Sequence, residues 1–178
     1  NLYYHLDGAR IWNACAETGI SPKEYAIHFD TVSCCFSKGL GAPIGSAIAG
    51  SKEFIQEAYR IRKAWGGGMR QVGILAAAAL YAVQNNRERL KEDHWRAKHL
   101  AERIKLNTNL DINMEAVQTN ILLFKPLKMT PKEGLIKCRE MGLILTPGTI
   151  DSLRAVTHLD VNDDDIENAA NILDEVFN

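Results

Sequence analysis

The chain has 178 residues, with 21 lysines and arginines against 22 acidic residues, a formal net charge of -1 and 46% hydrophobic residues. So even a balance gives no electrostatic reason to expect nucleic acid or an anionic membrane surface as partner. No apolar run is long enough to span a bilayer, no stretch reads as a signal peptide, and an ordinary globular composition remains.

In chain order, strands and helices alternate. "LYYHLDG" (2–8) is a short apolar run closed by a turn signal and predicts a buried strand; "ARIWNACAETG" (9–19) predicts a helix ending at Gly19. "DTVSCCFS" (30–37) has the β-branched and aromatic content of a second buried strand, and "GSAIAGS" (45–51) reads as a third. Ser51 then caps a helix with Phe54, Ile55, Ala58, Tyr59 and Arg62 at helical spacing, broken by the glycines at 66–68. A very apolar helix is expected from about Arg70 to Gln84 and a charged amphipathic one from about Arg87 to Leu106. In the second half, "QTNILLFKP" predicts a strand and "TPKEGLIKCREMG" a helix with Pro131 in its first turn. "LILTPG" and "LRAVTHL" predict strands, and "NDDDIENAANILDEVF" a closing helix with acids at its positive end. The expected class is α/β, with residues 1–106 as the main layer and 107–178 as a smaller α+β unit. Residue 1 is Asn and an apolar segment begins at once, so further chain is expected before it.

The four cysteines, Cys15, Cys34, Cys35 and Cys138, show neither metal-ligand spacing nor the density of a disulfide scaffold, and Cys34 and Cys35 read as buried small residues. That usage suits a reducing, cytoplasmic compartment. No metal site is expected: His94 and His99 lack the i, i+4 spacing of a helical metal pair, and Asp163, Asp164 and Asp165 open a helix with no EF-hand pattern after them.

The stretch "CCFSKGLGAPIGS" (34–46) places Lys38 just past a buried strand, where open α/β sheets carry their chemistry. In an apolar site a lysine amine loses its charge and becomes a nucleophile for carbonyls; the alternative is a solvated loop lysine. Gly39, Gly41 and Gly45 let backbone approach a flat ligand, and Ser37 offers a hydroxyl to a phosphate. Asp7 ends another strand in "HLDGAR", where a carboxylate is costly unless paired. Two roles fit it: partner to a pyridinium nitrogen, as in proteins that hold pyridoxal phosphate on a lysine, or cap of the following helix. A right-handed crossover would bring Asp7 and Lys38 to the same sheet edge.

Together, "HLDGARIWNA", "CFSKGLGAPIGS", "RKAWGGGMRQ" and "LRAVTH" resemble the low-specificity L-threonine aldolases, in the order that family has them and over essentially the whole chain. The resemblance implies pyridoxal 5'-phosphate as cofactor, fold type I of the pyridoxal-phosphate enzymes, and here a partial large domain plus a small C-terminal domain. It implies that Lys38 carries the Schiff base and that Asp7 pairs the ring nitrogen. It also implies that Arg10 and Arg154 reach the substrate carboxylate, and that Arg10, Ser37 and Arg70 hold the cofactor. Lys63 and Arg70 would belong to a loop near the cofactor of the same or a neighbouring subunit, with Lys63 serving the substrate. The implied reaction is retro-aldol cleavage of a β-hydroxy-α-amino acid to glycine and an aldehyde. The family's phosphate-binding turn, its ring-stacking residue and the base for the β-hydroxyl are expected upstream of Asn1.

From the residues alone, Arg154 is either a bidentate carboxylate clamp or a surface arginine on an edge strand. His158 falls on the same strand face and reads as structural; His5, two before Asp7, reads as a satisfied core histidine. Other classes stay open: another pyridoxal-phosphate enzyme such as an aminotransferase or β-eliminating lyase, a cofactor-free Schiff-base aldolase, or a non-catalytic half-chain. The helix "QVGILAAAALYAV" is apolar on nearly every face, so a homodimer or homotetramer is expected.

Overall fold

The computed structural model describes residues 2–178. They form two compact units that divide between Leu90 and Lys91.

In the first unit, β1 (His5–Gly8) pairs in parallel with β2 (Thr31–Cys35), with Asp7 opposite Ser33. β3 (Ser46–Ala49) runs antiparallel on the other side of β2, with Ser46 opposite Cys35, so β2 is central. The β1–β2 crossover contains α1 (Ile11–Thr18), which buries Ile11, Asn13 and Cys15 and ends at the left-handed Gly19, as the sequence predicts. It also contains α2 (Pro22–Ala26), which sequence reading missed although "SPKE" spells its start. The Glu24 amide donates to Ser21 Oγ (3.2 Å), the Ser21 amide donates to Glu24 Oε2 (2.9 Å), and Pro22 fills the first turn.

Beyond β3, α3 (Lys52–Ala64) starts from the expected Ser51 cap, whose Oγ accepts from the Phe54 amide. α4 (Gly73–Asn85) begins at Gly73 rather than Arg70, because Gln71 has φ 48 and a residue in that region interrupts a right-handed helix. The expectation of three buried strands fails. His5 and Asp7 are exposed, β2 is half-buried throughout, and every residue of β3 is exposed. Apolar composition makes burial favourable, but the surface that would complete it is not provided among the described residues. For the same reason Cys34 and Cys35 are half-buried, not buried.

The second unit has its own closed core. α5 (Leu90–Leu106) sets Ala97, Leu100, Ala101 and Ile104 at helical spacing into it, and the compact units divide after its first residue, Leu90. β4 (Leu110–Ile112), absent from the sequence reading, β5 (Ile121–Pro126), β6 (Thr146–Pro147) and β7 (Leu153–Val156) form an antiparallel sheet in the order β4-β5-β7-β6. The "LILTPG" strand thus shortens to its last paired residues. α6 (Pro131–Glu140) starts from a Thr130–Glu133 capping box, and α7 (Asp163–Phe177) from an Asn162–Asp165 box. α7 buries Ile166, Ala169, Ala170, Ile172, Leu173, Val176 and Phe177 against Leu122, Phe124, Leu153 and Ala155 of the sheet. On the polar side of that packing, Arg96 Nε donates to Asp163 (2.7 Å), while Glu167 takes His99 Nε2 (2.5 Å) and the Arg103 guanidinium. His99 therefore bridges helices, and no group of His, Cys, Asp and Glu among the described residues could hold a metal. No helix of the described residues is long and apolar enough to cross a membrane.

Candidate active site

Parallel pairing brings the C-terminal ends of β1 and β2 to one edge of the sheet. Asp7 stands there on β1. β2 ends at Cys35, and the chain turns at once through Phe36–Ser37–Lys38 before returning as β3. The turn is tightly hydrogen-bonded. The Phe36 amide donates to Gly45 O (2.9 Å), the Gly41 amide to Lys38 O (2.8 Å) and the Ala42 amide to Phe36 O (3.0 Å). Gly41 (φ 73) and Gly45 (φ 125) occupy conformations that a side chain would strain, which explains two of the glycines around Lys38. Ser37 and Lys38 are exposed at the tip, while Gly39 and Leu40 are buried beneath it.

Asp7 is exposed, and its Oδ1 accepts from the Ala9 amide (3.2 Å). That is a local turn bond. The helix cap position belongs to Arg10, which makes no side-chain cap bond, so the reading of Asp7 as helix cap is corrected: α1 begins later, at Ile11. Arg10 is half-buried at the same helix start. His5 is exposed, with Nδ1 2.8 Å from Thr31 Oγ1, so it is not a core histidine.

The remaining expected residues lie elsewhere in the chain's elements. Lys63 sits exposed in the last turn of α3, and Arg70 exposed in the loop to α4. Among the described residues, no hydrogen bond or ion pair ties either one to Asp7 or Lys38. Arg154 belongs to the second unit, half-buried on β7 between Leu123 of β5 and Thr146 of β6. It is therefore on an interior strand, not an edge. Its side chain projects from the face opposite the buried Leu153 and Ala155. His158 follows β7, exposed and 3.5 Å from Asp160.

Sequence reasoning missed the residues behind the lysine turn. Trp12 of α1 donates its indole N–H to Cys35 O (3.1 Å), and Asn86, which caps α4, donates its amide to Leu40 O (2.7 Å). The Trp12 ring tilts against Phe36 (centroids 6.4 Å apart), and the Arg87 guanidinium lies 5.5 Å from its centroid. The polar "QNN" after the apolar run was the one available signal for Asn86; Trp12 falls inside "HLDGARIWNA", but the motif gives it no role of its own.

The edge has the donor set for an aromatic aldehyde that carries a ring nitrogen and a phosphate. It offers a primary amine on a rigid turn, an exposed carboxylate on the adjacent parallel strand, and a serine hydroxyl beside the amine. Burial pushes the Cys15 and Cys34 thiols up. The group implied by the sequence motifs fits. A cavity of about 620 Å³ is a separate feature: it is apolar, lies against α4, includes Phe36, Met69, Leu75 and Leu80 in its lining, and involves neither Asp7 nor Lys38.

A parallel strand–helix–strand unit followed by a small antiparallel-sheet unit has the arrangement of a partial type I pyridoxal-phosphate enzyme fold, and a model of the beta-eliminating lyase family matches residues 1–126. The chain belongs to that family. Its similar relatives are more specific. A low-specificity L-threonine aldolase of Escherichia coli is 40% identical over 172 residues, which is 96% of this chain and 50% of that protein. Low-specificity L-threonine aldolase 1 of Arabidopsis thaliana is 39% identical over 165 residues, 91% of this chain and 46% of that protein. The chain thus spans about half the length of the curated relatives it matches. Among solved structures, the threonine aldolase of Leishmania major superposes with a TM-score of 0.77 over 99% of this chain and 52% of that one, at 16% identity, and shares the fold.

Proposed function

We propose that this chain carries part of the active site of a pyridoxal-phosphate-dependent aldehyde-lyase that cleaves L-threonine, L-allo-threonine and related β-hydroxy-α-amino acids to glycine and an aldehyde. The observation that carries this reading is the placement of Lys38 and Asp7 at one edge of a parallel strand pair; the named relatives supply the substrate class.

When bound, the cofactor supplies an electron sink for negative charge developing at the substrate Cα. Lys38 would hold the cofactor through its Nζ. The Asp7 carboxylate would keep a proton on the ring nitrogen and the Ser37 hydroxyl would serve the phosphate, with Arg10 and Arg70 adding positive charge. Arg10, Arg154 and Lys63 are the cations proposed for the substrate carboxylate, and a carboxylate so held would lose rotation about the substrate N–Cα bond. The torsion so held puts Cα–Cβ in line for cleavage. The protein acts as a homodimer or homotetramer, supported by the exposed apolar surface of α4, where Ile74 is 81% and Leu80 57% exposed. A reducing, cytoplasmic setting is part of the same proposal, since four free thiols suit it.

The family match favours one competing reading, β-elimination. Incubation of the cofactor-loaded protein with L-threonine separates the two. Cleavage yields acetaldehyde and glycine in equal amounts. 2-Oxobutyrate and ammonia as the products would reject the aldolase reading in favour of elimination.

A further inference from the structure

The segment that bears Lys38 is gripped at both ends by side chains from different helices. On the near side, Trp12 Nε1–H donates to the carbonyl of Cys35, the last residue of β2. On the far side, Asn86 Nδ2–H donates to the carbonyl of Leu40. Between them the backbone has little freedom. Gly39 is packed so closely that a Cβ there would come within 2.8 Å of Leu90 Cδ2 and 3.1 Å of Asn13 Oδ1. Leu40 is 1% exposed, in a cluster with Ala42, Ala82 and Leu90. Lys38 itself stays exposed above this base.

We propose that Asn86 is a positioning residue for the Lys38 amine: with Trp12 it clamps the Cys35–Leu40 segment, so that the amine is presented at the sheet edge in one orientation. The role follows from where the bond falls. Asn86 is the C-cap of α4, and its own amide already closes the helix on Ala82 O (2.9 Å), so its side chain is not needed to end the helix. The side chain instead reaches a carbonyl two residues past Lys38, in a part-buried place where an unmade bond would be costly. An amine on a loose turn would sample many directions, and the loss would appear in the step that needs the amine, not in substrate binding.

This inference rests on the reading of Lys38 as the reacting amine, and the experiment separates the two. Asn86→Asp keeps the shape and removes the donor; Asn86→Ala removes both; Ala77→Gly, on an exposed turn of α4, serves as a control that weakens the helix without touching the turn. Amide hydrogen exchange is measured on the cofactor-free protein at Gly41 and Ala42, whose N–H groups close the lysine turn. Both Asn86 variants are expected to exchange there at least about tenfold faster than the control at matched Tm. In the loaded protein, kcat is expected to fall at least about tenfold with KM for L-threonine nearly unchanged. Wild-type exchange at Gly41 and Ala42 in Asn86→Asp would overturn the clamp, and so would an unchanged kcat alongside accelerated exchange. If Lys38→Ala retains turnover, the reading of the active site fails, while the exchange result still decides whether the clamp exists.

Discussion

α4 and α7 are instructive side by side. α4 reads "GILAAAALYAVQN", yet only Ala82 is buried in it, with Ile74 81%, Leu80 57% and Tyr81 64% exposed. α7 reads "DDDIENAANILDEVF", opens on three acids, and buries seven residues. The more apolar helix is the more exposed one. α7 has an apolar stripe that a sheet of the same unit covers, and its charges lie on the other side, where Arg96, His99 and Arg103 meet them. α4 is apolar all round, and only a narrow strip meets Leu40, Ala42 and Leu90. Burial is a property of matched surfaces, not of a segment's composition. The two units differ in the same way: the first carries Lys38 and Asp7, the proposed reactive groups, on an incompletely covered sheet, and the second has a closed core.

That contrast separates chemistry from stability. In the first unit, Lys38→Ala should lower threonine cleavage by more than about 10⁴-fold, since it removes the proposed covalent attachment point. It should also abolish the borohydride-reducible cofactor linkage with little change in Tm, because Lys38 is exposed. A variant that still forms a reducible adduct would remove Lys38 from its role. Asp7→Asn comes next. Asn keeps the turn bond to the Ala9 amide but cannot balance a positive ring nitrogen, so the rate should fall about 10²–10³-fold while the melt is unchanged. Near-normal aldehyde release would return Asp7 to a turn residue.

The second unit should respond in the opposite sense. Leu173→Ala, at a position 1% exposed, should cost about 2–5 kcal/mol by denaturant unfolding. Leu80→Ala in α4 should cost about 0.5 kcal/mol or less within this chain. If a second subunit covers that face, Leu80→Ala should instead weaken association, read as a concentration-dependent shift in sedimentation. Equal unfolding costs at both leucines would erase the distinction between the two helices.

The smallest effect is electrostatic. Glu167 is held below the usual glutamate value of 4.5, chiefly by the hydrogen bond from His99 and then by the Arg103 charge. A depressed carboxyl stabilises the fold above its unfolded pKa, and that contribution is lost as pH falls through the folded value. Stability should therefore decline below about pH 4.5 through this group, and Glu167→Gln should flatten the decline. An identical acid limb in the variant would show that the exposed network contributes nothing.

Much of this was legible in the linear chain. Local signals placed Gly19 at the end of α1, Ser51 at the start of α3 and Pro131 in the first turn of α6, because caps and turns are decided within a few residues. The alternation of strand and helix carried the α/β class, and two short motifs carried Lys38 and Asp7. Other features were beyond local reading. β4 and the paired part of β6 are too short to signal themselves and exist because β5 and β7 offer them edges. The assignment of α5 to the second unit depends on which sheet receives Ala97, Leu100, Ala101 and Ile104. The hydrogen bonds from Trp12 and Asn86 onto the lysine turn join residues 23 and 46 positions apart in sequence. The sequence by itself determined the chemistry available at the sheet edge, since residue type and local turn geometry are short-range properties. Only the tertiary structure decided which faces are covered and what holds the lysine still, since those depend on surfaces that distant segments bring together.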